Sequence, residues 1–202
     1  MRKIIYFCVM KLHYIDIHTH HPTSATTLHA VGVHPWQATM ELLPSEVAIM
    51  AAEAVGEIGL DKVCAVDFTQ QKAVFAAQLD LAERFAKPVI LHCVRAFEEV
   101  MLCLEGRTLP AVIFHGFIGT KEQAERALQR GYYLSFGMRT GRSPKTIEAL
   151  RYTPLDRLFV ESDEETTPIE TIYEAVAAWR GISIEELRSA TLDNYTRLFR
   201  KQ

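Results

Sequence analysis

Six short apolar runs punctuate this chain, and each ends in a side chain able to bind a metal. They occupy residues 14–20 (with His18 and His20), 31–34 (His34), 54–57 (Glu57), 89–92 (His92), 111–115 (His115) and 158–163 (Asp163). Side chains alternate faces along a strand, so His18 and His20 are expected to point the same way. Between the runs, apolar residues recur at helical spacing. That alternation calls for parallel strands joined by helical crossovers.

The spacing predicts helices over 42–54, 69–86, 96–104, 121–130, 144–150, 168–180 and 183–190, with a last one starting at Asp193. Pro88 stops the second and Gly131 caps the fourth, while Ser183 stands three residues before Glu186 as a capping box would place it. With a further strand at 132–136, the count reaches about seven, one short of a complete eight-stranded barrel. Only a short Ser/Thr/Pro stretch separates His20 from Val31, too little for a helix and a return strand. The expected fold is therefore α/β, a distorted TIM-type (β/α) barrel that lacks one strand-helix unit near its start. It would form a single domain over residues 1–202, with 1–10 as an extension.

At 202 residues, with 23% charged side chains and a net charge of −3, the chain is ordinary for a globular protein and has no general attraction for polyanions. Nucleic-acid contact would have to come from a local basic patch. Its four cysteines (Cys8, Cys64, Cys93, Cys103) follow no CxxC spacing, which suits buried thiols in a reducing cytoplasm. The apolar stretch behind Arg2 and Lys3 is too short for a signal peptide and lacks a cleavage site, no run reaches membrane-spanning length, and Met10 reads as an alternative start.

In such a barrel the strand ends share one mouth, where loops begin and active sites lie. His18, His20, His92 and His115 would bring nitrogen ligands there, and Glu57 and Asp163 oxygen ligands. Taken singly, each has a bland reading: a packing histidine, a turn carboxylate, a helix cap. Six such groups at one end of the same apolar strands are costly to bury without a cation. The set suits two divalent ions, zinc or manganese, with magnesium less comfortable beside imidazole. Such ions activate water for attack on phosphorus or a carbonyl, with Asp163 placed to accept a proton.

The ordered words Asp16-Ile17-His18-Thr19-His20, Gly32-Val33-His34-Pro35, Gly56-Glu57-Ile58-Gly59-Leu60-Asp61, Pro88-Val89-Ile90-Leu91-His92, Phe114-His115-Gly116-Phe117 and Glu161-Ser162-Asp163 resemble the TatD-like metal-dependent hydrolases of the amidohydrolase superfamily. So does the tail Asn194-Tyr195-Thr196-Arg197-Leu198-Phe199, and the likeness runs from Asp16 to the C-terminus. The resemblance implies a distorted TIM-type barrel and metal-dependent hydrolysis, often of DNA phosphodiesters. It implies that His18, His20, Glu57, His92, His115 and Asp163 hold metal, with Glu57 bridging and Asp163 also catalytic. Two departures from the family pattern stand out. The strand-helix unit between the first two words is missing, and the arginine usual two residues after the fourth-strand histidine is Val94 here, with Arg95 following.

Substrate contacts are expected from His34 and from Arg139 and Arg142, which with Lys145 make a basic loop; Arg95 and Lys121 are further candidates. Trp36 could stack on a base, although packing beneath its loop is the commoner role. Asp16, Asp61 and Glu161 are expected to orient other groups. His21 should face away, and His13 and His29 carry no argument beyond packing or exposure. The leading expectation is a phosphodiesterase or deoxyribonuclease acting on DNA or a small phosphoester. The alternatives are an amidohydrolase and a non-catalytic metal-binding module.

Overall fold

A computed structural model describes residues 14–21, 23 and 25–200. Cys8, His13 and the expected 1–10 extension lie outside the described residues. Within them, strands β1 (Ala30–Val31), β2 (Ala54–Asp61), β3 (Val89–Val94), β4 (Val112–Phe114), β5 (Tyr133–Phe136) and β6 (Leu158–Val160) form one parallel sheet in sequence order. Seven helices accompany them: α1 (Glu46–Ala51), α2 (Phe68–Arg84), α3 (Phe97–Cys103), α4 (Lys121–Gln129), α5 (Pro144–Tyr152), α6 (Ile169–Arg180) and α7 (Ile184–Phe199). No helix among the described residues is long and apolar enough to cross a membrane.

The expected first strand is irregular. It bends at Ile17 and His18 and pairs by single bridges, Ile15 with Thr26 and Thr19 with Asp163. Its amides and carbonyls nevertheless reach both edges of the sheet. Asp16 N donates to Thr26 O at 2.9 Å, and Ile17 N donates to Val160 O at 3.1 Å. The seventh pass is thus present, but without a ladder. The cause lies in the short stretch after His20. With no room for a helix, the chain around 26–31 must face the first pass at Thr26 and β2 at Ala30 and Val31.

Alternation along the strands sorts the core into two layers. Val89 and Leu91, Val112 and Phe114, and Leu158 and Val160 pack outward with Phe75, Leu79, Val100 and Tyr173 of the helices. Ile90, Ile113, Tyr133 and Phe159 point inward, where Ile15 and Ile17 join them. His92 and His115 continue the inward parity of Ile90 and Ile113.

Two helix expectations need correction. The one over 42–54 shrinks to α1, because a short 3-10 turn precedes it and Ala54 already belongs to β2. The two over 183–190 and from Asp193 are a single helix, α7, since nothing between them breaks the pattern. Ser183 caps α7 through the Glu186 amide, but the reciprocal capping box sits on α4, between Thr120 and Gln123.

Candidate metal centre

Glu57 stands at the middle of the site because β2 is irregular there. The register with β3 shifts between Val55 and Ile58, which turns Glu57 inward and carries Gly59 and Asp61 with it. Gly59 has φ of +146°, and a Cβ there would lie 2.0 Å from the His92 carbonyl oxygen. Only glycine lets β2 press this closely on the strand that carries His92.

Around the buried Glu57 carboxylate the histidines divide into two groups. Oε1 lies 2.6 Å from His92 Nδ1, 2.5 Å from His115 Nε2 and 3.3 Å from His34 Nε2. Oε2 lies 3.1 Å from His18 Nε2 and 3.5 Å from His20 Nε2. Asp163 joins the second group, its Oδ1 being 3.9 Å from His18 Nε2 and 3.7 Å from His20 Nε2. His18 and His20 arrive there through the bend in the first pass. The alternation expected of a strand would have sent them opposite Ile15 and Ile17.

Each inward histidine of β3 and of the turn after β4 has a carboxylate behind it. His92 turns Nε2 to Asp61 Oδ2 at 3.3 Å, and His115 turns Nδ1 to Glu161 Oε1 at 3.3 Å. With those nitrogens turned to the carboxylates, Nδ1 of His92 and Nε2 of His115 are the ones that face the centre and would bind a cation there. His34 differs. Its Nδ1 accepts the Trp36 amide at 3.2 Å, so Nε2 carries the proton and is a donor rather than a ligand.

The electrostatics follow from this crowding. Burial pushes the Glu57 carboxyl up, but the imidazoles of His115, His18, His34 and His92 crowded against it outweigh burial and hold it well below the carboxylate range. Burial would lower His115, yet Glu161 and Glu57 beside it raise it well above an ordinary histidine. Asp163 is raised by burial and by the charge of Glu161. Burial takes Asp16 up to about 6.

The donor set fits divalent cations. His92 Nδ1 and His115 Nε2 approach to 3.4 Å, and both converge on Glu57 Oε1. Among the described residues, buried Glu161 Oε2 has no hydrogen-bond partner, and buried His18 Nε2 meets only the carboxylates of Glu57 and Asp163. Ligand atoms of His18, Glu57 and His115, and likewise of His18, His20 and Asp163, lie within 4.8 Å of one another. An orphaned carboxylate oxygen and imidazoles crowded on a shared carboxylate are what a cation would satisfy.

The remaining expected residues separate. A cavity of about 1070 Å³ opens over the centre and takes in His34, Arg95, Arg139 and Arg142. Arg139 Nη1 is 3.7 Å from Asp163 Oδ2, while Arg142 pairs with Glu165 at 3.5 Å. Arg95 reaches the cavity although it stands one step past the expected arginine position, a shift that in a continuing strand would send it to the other face. β3 ends at Val94, and Arg95 adopts φ of +52°, which swings it back to the cavity. Lys121 lies instead over the Tyr152 ring, outside the cavity. Asp16 holds Ser162 rather than a histidine, accepting from Ser162 N at 2.9 Å and Ser162 Oγ at 2.7 Å. The exposed His21 meets Glu164 O through Nε2, and the His29 amide donates to Glu53.

Trp36 is not packed beneath its loop, being 54% exposed at the cavity rim. Its Nε1 donates to Asp61 Oδ2 at 2.6 Å. This clamp was outside the reach of sequence reasoning, which paired Asp61 with no partner; the sole signal was a tryptophan two residues after His34.

The profile of the TatD related DNase family matches residues 12–200. YcfH of Escherichia coli K12, described as an uncharacterized metal-dependent hydrolase, is 32% identical over 190 residues, covering 83% of this chain and 72% of its own. The 3'-5' ssDNA/RNA exonuclease TatD of Salmonella typhimurium is 29% identical over 200 residues, covering 83% of this chain and 76% of its own. Among solved structures, the TatD homologue YjjV of Escherichia coli K12 superposes with a TM-score of 0.75 at 28% identity, over 87% of this chain and 78% of its own.

Proposed function

This chain belongs to the TatD related DNase family of metal-dependent hydrolases, and on that premise we propose that it is a phosphodiesterase that cleaves DNA with the help of two divalent cations. The observation that carries the proposal is the division of ligands about Glu57. His92 and His115 gather at one oxygen, and His18, His20 and Asp163 gather toward the other. Zinc, manganese or magnesium bound there would supply electrophilic activation of water and of the scissile ester.

The protein's own groups then have distinct tasks. Glu57, whose two oxygens face the two groups of histidines, would help hold both cations. Asp163 Oδ1 accepts a proton from the attacking water, and its burial favours that role. His34 Nε2–H donates toward the reacting oxygens, its tautomer held by the Trp36 amide. Arg139, 3.7 Å from Asp163 Oδ2, supplies positive charge to a phosphate entering beside it. Arg142 and Arg95 extend that charge along the cavity.

The test compares metal-loaded protein on single-stranded DNA, a generic phosphodiester and an anilide. DNA cleavage lost in Asp163→Asn, by about a hundredfold or more, is the expected result. Turnover of the anilide alone would replace the proposal with an amidohydrolase. No turnover of any of the three, with metal bound, would leave a binding module.

A further inference from the structure

Trp36 is the large side chain at this site that the hydrolytic chemistry leaves unused. It sits in the middle of the short helical turn that follows His34, with over half of its surface open at 54% exposure. An indole stripped from the core and set on the rim of a cleft forgoes substantial burial. Yet this one is anchored by a hydrogen bond. Nε1 donates to Asp61 Oδ2 at 2.6 Å, and Asp61 is itself buried at 3% exposure and also meets His92. The ring stands edge-on to His34, with centroids 4.8 Å apart, and 6.3 Å from the His92 ring. Val63 and Ile118, also more than half exposed, line the same cavity, as do Arg95, Arg139 and Arg142.

We propose that Trp36 is a stacking platform for an unpaired base of single-stranded DNA, specifically the base of a nucleotide flanking the scissile phosphate. The inference deepens the phosphodiesterase reading and rests on it. Three features point to a base. The ring's only polar atom is already spent on Asp61, so what it offers a ligand is an apolar aromatic surface. Cations in the same cavity suit the phosphates on either side of such a base. The distances place the platform within one nucleotide of the centre, because the His34 ring it touches reaches Glu57 Oε1 at 3.3 Å. In a duplex both faces of an interior base are covered by its neighbours, so the platform rewards a strand that is unpaired.

The metal-loaded protein should be given oligothymidylate and a base-free abasic phosphodiester strand of the same length. In the wild type, KM for the base-free strand should be about tenfold higher or more, with kcat changed far less. Trp36→Phe and Trp36→Leu both remove the indole donor from Asp61, but only phenylalanine keeps an aromatic face. The KM ratio should therefore survive in Trp36→Phe and fall toward unity in Trp36→Leu. Comparing two substrates on one variant removes any common effect on folding or metal content. If Trp36→Leu cleaves DNA with the wild-type ratio, the platform is wrong and the phosphodiesterase stands. If the wild type cleaves neither strand, both readings fall together.

Discussion

Asp61 shows how much of this site depends on a residue that need not touch a substrate or a metal. Its two oxygens accept three hydrogen bonds: Oδ1 from the Val63 amide at 2.7 Å, and Oδ2 from Trp36 Nε1 at 2.6 Å and His92 Nε2 at 3.3 Å. The last of these keeps the proton on Nε2 of His92 and leaves Nδ1 turned to Glu57. Asparagine has nearly the same shape but only one acceptor oxygen. In either orientation its NH₂ group meets a donor, and if that donor is His92 the tautomer that frees Nδ1 is lost. Asp61→Asn should lower metal affinity or kcat/KM by about 10–100-fold while the fold persists. Competition with a chelating dye would measure the affinity, and an unchanged dissociation constant together with wild-type kcat/KM would show that His92 is oriented without Asp61. The acidic residue was visible in the sequence as an orienting group; its partners were not, because His92 lies 31 positions away and Trp36 lies 25 away.

At the level of elements, the strands that carry His92 and His115 were readable from alternation alone, since Ile90 and Ile113 set the inward parity that the histidines continue. Two others were not. Glu57 depends on a register shift in β2, and His18 and His20 depend on a bend, and neither irregularity leaves a mark in hydrophobic pattern. The glycine that makes the first possible is open to test. Gly59→Ala would force an unfavourable backbone angle and a clash with the His92 carbonyl, at a cost of about 3 kcal/mol or more. Urea denaturation would measure it, and a loss below about 1 kcal/mol would mean that β2 can move aside. The bent first pass is secured from outside the sheet. Tyr173 of α6 donates its hydroxyl to Ile15 O at 2.8 Å and accepts from the Ile15 amide at 3.3 Å. The same hydroxyl meets Thr191 Oγ1 of α7 at 2.8 Å. Tyr173→Phe leaves those buried groups short of a partner and should cost about 1–3 kcal/mol. Faster amide exchange at Asp16, Ile17 and His20 should accompany it; exchange unaltered at those positions would show that the backbone bonds to Thr26, Val160 and Asp163 hold the pass without Tyr173.

For the whole molecule, the barrel type and the absence of one unit were legible because strand and helix alternate and the stretch after His20 is too short for another pair. The division of labour in the shortened region was not, since one length of chain serves two neighbours at Thr26 and at Ala30 and Val31. That region relies on sparse pairing, and it delivers His18 and His20 to a centre crowded with imidazoles and carboxylates. Without cations the same groups must share protons among nitrogens as little as 3.3 Å apart, as His34 Nε2 and His92 Nδ1 are. Metal binding should therefore act on global stability as well as on turnover. A cation at a hundred times its dissociation constant adds about 2.7 kcal/mol through mass action. For a chain of this length that corresponds to a rise in Tm of about 5–10 °C. Thermal melts of chelator-treated protein, before and after stoichiometric zinc or manganese, would register the shift. The rise should vanish when Glu57 is replaced by glutamine, because an amide can neither balance the charge of two cations nor bridge them through both of its atoms. A Tm that ignores both the chelator and the added metal would remove the two-cation centre, and with it the chemistry assigned to Asp163.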